Sequence, residues 1–478
     1  MAVEALMQRT PLCVDLDGTL IRSDLLLETL LLLIKRNPLY LFLLPLWLLR
    51  GKAVLKVEIA SRVTLKPAAL PYNKEFVEWL RSERTAQRSI WLCTAASEPL
   101  ARAVADHLGL FDGVLASDRS VNLAGTAKAD RLVGQFGDGG FEYCGNERKD
   151  MAVWRRAAGA IVVNGTSRLE TEASRSVRVV QTFPSNARPL EAMIRALRPH
   201  QWAKNLLIMV PLLAAHSAAD PGSSVAALLA FAAFSLCASS VYLLNDLLDL
   251  EADRTHPRKS KRPFAAGDLP LLAGLTVAPL LLVAAVLIAA FLPPKFWLVL
   301  ATYYAFTCAY SFALKGLVLI DALALAGLYT LRIIAGAAAV SVPLSFWLLL
   351  FSVFLFLSLA FVKRFAELDS LRKQRRLSAV GRGYHVEDLS LLQSLGTASG
   401  YLSVLVLALY INSPQIEVLY SRPKVIWMLC VLMLYWVSRI WMVAQRGKMH
   451  DDPVVFALKD RQSLGIGLLA AVVVALAI

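Results

Sequence analysis

Two patterns of apolar residues divide this chain. Up to about residue 183, short apolar runs alternate with stretches in which apolar positions recur every three or four residues. That alternation predicts a parallel sheet with helices between its strands. Strands are expected at 12–15, 89–93, 141–144, 160–163 and 177–180, with helices such as 98–108 and 128–136 between them. From about residue 201 onward the apolar runs lengthen to membrane-spanning size. Nine spans are expected, near 202–216, 223–244, 271–292, 296–313, 318–340, 344–362, 391–411, 425–444 and 462–478. A stretch rich in Pro, Ser and Asn joins the two parts. It ends in LEAMIRAL, an amphipathic piece expected to lie on a membrane surface.

One segment fits neither pattern. Residues 23–51 hold two apolar runs, DLLLETLLLLI and LYLFLLPLWLLRG, divided by Lys35, Arg36, Asn37 and Pro38. Neither run is long enough to cross a bilayer alone. The strands on either side belong to one sheet, so the insert must return to the side it leaves. A helical cap or hairpin that dips into the membrane is expected; the alternative is a cap packed on its own domain. The resulting partition is an α/β domain over 1–183 with its insert at about 22–88, a linker and amphipathic helix over 184–200, and an all-α polytopic domain over 201–478.

Composition sharpens this picture. An apolar share of 57% is too high for an ordinary soluble protein. The net charge of +14 clusters in loops between apolar spans, which points to a membrane surface and anionic substrates rather than nucleic acid. The loops after the second, sixth and eighth spans are rich in Lys and Arg, while SAADPGS after the first has none. The positive-inside rule then places the basic loops and the N-terminal domain in the cytoplasm. Nine spans put the C-terminus outside a bacterial inner membrane. Residues 1–11 are polar and predict no cleavable signal peptide. Six cysteines without paired or metal-type spacing suit a reducing compartment.

The densest chemistry lies at 245–263, NDLLDLEADRTHPRKSKRP, between two long apolar runs. Asp246, Asp249 and Asp253, with Asn245 beside them, recur at near-helical spacing and share one face. Ionisable residues at a membrane helix end are costly and mark functional sites. Hard oxygen ligands of this kind hold Mg²⁺ against a substrate's phosphates. Arg254, Arg258, Lys259, Lys261 and Arg262 follow and supply cations for the remaining negative charge. His256, beside Pro257, reads as a loop hydrogen-bonder rather than a metal ligand. Upstream, RPHQWAKN brings Lys204 to the mouth of the first span. Downstream, YSFALKGLVLIDALALAGLYTLR carries Tyr310, Lys315, Asp321 and Arg332. Asp321 and Arg332 lie in apolar sequence and require either a polar cavity or each other as partners. Lys363 and Arg364 add two further cations.

A second cluster sits in the α/β domain. VDLDGTL ends the first strand and sets Asp15 two residues before Asp17. A carboxylate nucleophile with a neighbouring acid/base can take and release a phosphoryl group. With Thr94 at the end of the second strand, Lys128 heading a helix and Asp150 in GNERKD, the set resembles the haloacid dehalogenase (HAD) superfamily. That resemblance covers about residues 10–183. It implies a Rossmann-like domain with a helical cap, Asp15 as nucleophile, Asp17 as general acid/base, and Thr94 and Lys128 on the phosphoryl group. Asp150 would join Asp15 and Asp17 in holding Mg²⁺. Asn146 departs from the pattern, standing where an acid is usual, which removes one negative ligand.

The 245–263 motif resembles the first Asp-rich motif of the UbiA superfamily of intramembrane prenyltransferases, over essentially all of 195–478. RPxQWxKN, DRxHPxKxxRP and YSxxLK with a single Asp are most similar to its decaprenyl-phosphate phosphoribosyltransferase branch. The resemblance implies phosphoribosyl diphosphate as donor, a polyprenyl phosphate as acceptor and Mg²⁺ as cofactor. Asp246, Asp249 and Asp253, with Asn245, would hold the metal. Lys204, Arg254, Lys259, Arg262, Tyr310, Lys315, Asp321, Arg332, Lys363 and Arg364 would surround the substrates. Two alternatives stay open: a transferase moving a prenyl chain to an aromatic or other small acceptor, and a non-enzymatic transporter or scaffold.

Overall fold

The computed structural model describes residues 10–118, 121–185, 188–375, 383–413, 420–449 and 452–478. The chain forms two compact units, Met1–Leu197 with Tyr242–Ala278, and Arg198–Val241 with Pro279–Ile478. The Asp-rich stretch falls in the first of these units.

The first unit is built on a six-stranded sheet of order β3-β2-β1-β4-β5-β6. Its strands are β1 (Leu12–Val14), β2 (Ile90–Ser97), β3 (Gly113–Ser117), β4 (Glu142–Gly145), β5 (Gly159–Val163) and β6 (Val179–Phe183). All neighbours pair in parallel. Side chains alternate between two apolar layers, as the pleat requires. Leu12, Val14, Leu92 and Cys144 join one core cluster, while Cys13, Cys93, Tyr143 and Val162 join the other. Strand β3 was not foreseen. It is a half-exposed edge strand, GVLAS, with too little β-branched or alternating character to stand out. Strand order reverses at β1, so the crevice beyond the ends of β1 and β4 is the natural ligand position in such a sheet.

The insert forms α1 (Leu25–Arg36), a 3-10 turn at Pro38–Phe42, α2 (Leu44–Leu49) and α3 (Lys52–Ala60). Asp24 caps α1 by accepting from the Leu27 N–H at 2.9 Å, and Lys35 and Arg36 in its last turn complement the helix dipole. Leu25 joins the core that holds Leu12 and Val14, while Leu33 is buried with Trp47 and Ile59 inside the insert itself. Beyond Asn37 the apolar side chains turn outward: Leu39, Phe42 and Leu49 are 66%, 76% and 85% exposed.

Among the described residues, six helices are long and apolar enough to cross a membrane, and a helix pair bent by 79° at Pro453–Lys459 and Arg461–Ala477 would make a seventh. The six are Pro221–Leu248, Leu271–Ala289, Ile320–Val340, Phe346–Lys373, Val386–Ile411 and Pro423–Gln445. Nine apolar runs were expected, and the shortfall has local causes. Residues 202–216 form a 3-10 stretch, Pro199–Met209, then a short helix, Val210–Ala214. Pro294–Phe312 is helical, but Thr302, Tyr303, Tyr304, Thr307 and Ser311 dilute its apolar character.

Within the second unit, Tyr329, Phe356, Phe361, Phe365 and Trp441 belong to one buried cluster. Gly396 lets helices meet there, since a Cβ would lie 2.1 Å from the Trp441 ring. Leu298, Leu405 and Leu468 face outward, the surface a bilayer covers.

Candidate functional site

In the first unit, Asp15 follows β1 and Lys128 lies in the first turn of the Thr126–Phe136 helix. Lys128 Nζ donates to Asp15 Oδ1 at 2.9 Å and to the Tyr143 hydroxyl at 2.7 Å. Asp150 accepts from the backbone N–H groups of Asn146 and Glu147 at 2.9 and 3.0 Å. Thr94 is fully buried in β2 and its hydroxyl accepts from the Ala96 N–H. Asp17 accepts from the Leu25 N–H at 2.7 Å. Gly18 has φ +72°, and a Cβ there would stand 2.1 Å from the Asn146 side-chain nitrogen. Asn146 in turn accepts from the Thr19 hydroxyl at 3.2 Å.

Asp15, Asp17, Lys128 and Asp150 line a cavity of about 300 Å³ to which the insert contributes Lys52 and Lys56. Burial, then the charges of Asp24 and Asp15, push the Asp17 carboxyl up to about 8. Burial and Asp15 likewise raise Asp150 to about 6. Burial opposes the charge on Lys128, but Asp15 and Asp150 outweigh it and raise its pKa. A buried acid that keeps a proton near neutrality, beside a carboxylate paired with Lys, has the electrostatics that acid/base chemistry on a phosphate requires.

The same unit holds the Asp-rich motif. Asp246 and Asp253 are almost fully buried, and one nitrogen of Arg262 reaches both, at 3.0 and 2.6 Å. Burial pushes the Asp253 carboxyl up, and Arg262 offsets part of that rise. Asp249 pairs with Lys35 of the insert at 2.8 Å. Asn245 is half-buried and its carbonyl accepts from the Asp249 N–H. Arg254, expected at a phosphate, spends its donors internally on Glu28 at 2.6 and 3.0 Å and on the Ala265 carbonyl at 3.0 Å. Lys259 is exposed. His256 Nδ1 accepts from the N–H groups of Arg258 and Lys259, the loop role its sequence suggested.

The second unit carries two further clusters. Asp452, nearly buried, accepts from Lys204 at 2.8 Å, Lys363 at 2.9 Å and the Tyr329 hydroxyl at 2.8 Å. Burial opposes its charge, but Lys363 and Lys204 hold its carboxyl well below the usual range. It also caps the Pro453–Lys459 helix through the Val454 N–H. Sequence reasoning missed Asp452; the signal was an acid directly before Pro at a helix start, within a basic loop. Asp321 and Arg332, weighed as a mutual salt bridge, have other partners. Arg364 Nε lies 2.6 Å from Asp321, which also accepts from the Tyr384 hydroxyl at 2.5 Å. Arg332 donates to Asn205, the Leu328 carbonyl and Tyr303. The Tyr310 hydroxyl accepts from Arg364 at 3.1 Å, and Lys315 is half-buried in the Leu314–Gly316 turn. An apolar groove of about 1340 Å³, lined by Leu213, Phe351, Met433, Trp436 and Leu464, runs beside the helix that Asp452 caps.

Among the described residues, no three His, Cys, Asp or Glu side chains already converge as a metal cage. The donor chemistry nevertheless fits Mg²⁺ at Asp246 and Asp253. Two carboxylates already share one cationic nitrogen, and Mg²⁺ typically takes one or two carboxylates plus substrate phosphate and water.

Several apolar helices of membrane-spanning length define a multi-pass membrane protein. The chain belongs to the UbiA prenyltransferase family, whose profile matches residues 206–459. An uncharacterized protein of Sinorhizobium fredii is 37% identical across 97% of this chain and 90% of its own length. A decaprenyl-phosphate phosphoribosyltransferase of Mycolicibacterium smegmatis is 41% identical over 38% of this chain and 58% of that protein. A UbiA homolog from Archaeoglobus fulgidus, solved with DMAPP and Mg²⁺, is 16% identical with a TM-score of 0.46, covering 59% of this chain and 96% of that one.

Proposed function

We propose that this protein transfers phosphoribose from phosphoribosyl diphosphate to a polyprenyl phosphate, and that its HAD-like N-terminal domain then removes the 5-phosphate from the lipid product. The observation that carries the first reading is the buried Asp246–Asp253 pair sharing the Arg262 guanidinium. The 41% identity to a decaprenyl-phosphate phosphoribosyltransferase supports the choice of substrates.

Asp246 and Asp253 would hold Mg²⁺, with Asn245 and Asp249 as the nearest further oxygen donors. The ion would neutralise the diphosphate as the sugar C1–O bond breaks. Arg262 would turn from the carboxylates to the phosphate oxygens, with Lys259 adjacent. Within the second unit, Lys204, Lys315 and Lys363 would be the cations for a phosphate, and preorganised charge of this kind is the main source of rate in such chemistry; Arg364 is already held by Asp321 and Glu367. The acceptor is a phosphate already ionised, so its oxygen attacks C1 without a general base. The apolar groove beside the Asp452-capped helix suits a polyisoprenyl chain. In the HAD-like domain, Asp15 would attack the 5-phosphate while Asp17, carrying a proton near neutrality, would protonate the leaving ribose oxygen. Thr94 and Lys128 would hold the phosphoryl group and Asp150 would help with Mg²⁺. Two active domains on one chain raise the local concentration of the shared intermediate.

The basic loops support a cytoplasmic side of an inner membrane for both reactions under the positive-inside rule. The test is to incubate the purified protein with Mg²⁺, phosphoribosyl diphosphate and polyprenyl phosphate, then analyse the lipids. Ribosyl lipid lacking its 5-phosphate supports both steps. Phosphoribosyl lipid that persists in excess metal removes the second step. Consumption of a prenyl diphosphate with an aromatic acceptor, run beside it, would favour the other family chemistry.

A further inference from the structure

We propose that the N-terminal insert is a working part of the transferase: Glu28 on α1 is a positioning residue that sets Arg254, and through it the Asp246–Asp253 pair, for the donor's diphosphate. This rests on the donor site proposed above and makes that site depend on a segment more than two hundred residues away in sequence.

Glu28 and Arg254 form a two-point pair, with oxygen–nitrogen distances of 2.6 and 3.0 Å and side chains only 5% and 8% exposed. The Ser23 hydroxyl donates to the same carboxylate at 2.5 Å. Arg254 directly follows Asp253, and its Nε donates to the carbonyl of Ala265. It therefore ties together both ends of the turn that carries Arg262, the residue shared by Asp246 and Asp253. A planar fork gripped on one edge by Glu28 and on the other by Ala265 has no freedom to swing. Two outer pairs join the same segments, Lys35 with Asp249 at 2.8 Å and Lys66 with Glu251 at 2.5 Å. Their lysines are 40% and 72% exposed, so they add little; the buried pair decides the geometry.

The close approach is written into the backbone as well. Gly267 has φ +75°, and a Cβ there would stand 2.5 Å from Arg22 Cβ, just ahead of the insert. The helix that holds Arg254 also donates its Leu25 N–H to Asp17. One helix thus supports both candidate centres of this unit, which gives the fusion of the two domains a physical reason.

The test uses the full chain in detergent or nanodiscs with phosphoribosyl diphosphate, polyprenyl phosphate and Mg²⁺. E28Q keeps the shape and removes the charge. Its donor KM should rise about tenfold, the scale expected for losing one hydrogen bond to a charged group. The melting temperature should fall, because the Arg254 charge loses its buried partner, but the KM for polyprenyl phosphate should stay near its starting value, a split that a merely structural lesion would not give. E28D, which keeps the charge but shortens the reach, should fall between the two and is read in its place if E28Q does not fold. A donor KM within twofold of the unaltered protein, while D246N is silent, overturns the positioning role and leaves the donor site standing. A lower donor KM in E28Q means that Glu28 competes with the donor for Arg254, and also overturns it. Turnover by D246N, or none by the unaltered protein, sinks the donor site itself.

Discussion

Arg364 Nε lies 2.6 Å from the Asp321 carboxylate, and both side chains are sealed from solvent, at 1% and 0% exposure. Tyr384 and Tyr310 complete the shell, so the pair is fully engaged rather than waiting for a ligand. Removing one partner of such a pair strands the other charge in an apolar interior. R364M should therefore lower stability by about 3–5 kcal/mol, read as a fall in melting temperature in detergent. The double variant D321L/R364M should recover much of the loss, because an apolar replacement of both charges is often neutral. A double variant as unstable as R364M would show that the tyrosine network, not the ion pair, holds these helices.

Asp452 satisfies two buried or half-buried lysines and a tyrosine at once. D452A leaves Lys204 and Lys363 repelling each other without a counter-anion and strips the cap from Pro453–Lys459. A loss of about 3–5 kcal/mol is expected in substrate-free protein, by the same stranded-charge argument. Inorganic phosphate at high concentration should restore part of it in D452A, but little in D452N, where the amide still caps the helix and accepts from one lysine. Thermal melts with and without phosphate check both.

Metal dependence follows from the acid pair. Chelation with EDTA should silence glycosyl transfer and excess Mg²⁺ should restore it. D246N and D253N should each cut turnover by at least about a hundredfold, because a hard cation loses a negative ligand and the diphosphate its neutraliser. D249N should cost less, since Lys35 already balances the Asp249 charge. Equal losses at all three positions would show that Asp249 moves in to complete the set.

Much of this was legible in sequence because the signals are local. The DxDGT turn, the strand–helix alternation and the apolar runs each declare themselves within a few residues. What was not legible depends on long-range packing. Strand β3 is short and half exposed, so it carries no alternation to read. Arg254 looked like a phosphate ligand because its neighbours are acids and cations, yet Glu28 reaches it from 226 residues away. Asp321 and Arg332 were read as facing a polar cavity or each other; they stand eleven residues apart on one helix, about three turns, and each is held by side chains from other elements. A spacing that puts side chains on one face does not bring them within contact. Asp452 was passed over as one acid in a basic loop, although the lysines it holds had both been singled out.

The two proposed activities are separable by a single oxygen. Asp15 is the carboxylate beside Lys128 in the 300 Å³ cavity and belongs to the phosphatase-like centre alone. D15N keeps an acceptor for Lys128 but removes the nucleophile, and an amide cannot form the acyl phosphate that the HAD-type route requires. In D15N, glycosyl transfer should continue at its normal rate while phosphoribosyl lipid accumulates and free phosphate release falls by at least about a hundredfold. The effect should be specific to Asp15. G18A, which drives a Cβ into the Asn146 side chain at a positive φ, should slow phosphate release by displacing the loop, and its loss should track a lower melting temperature of the domain. D15N should leave that melting temperature close to the starting value. Phosphate release that survives D15N would assign the second step to another group, and the domain would then be a scaffold for α1 rather than an enzyme.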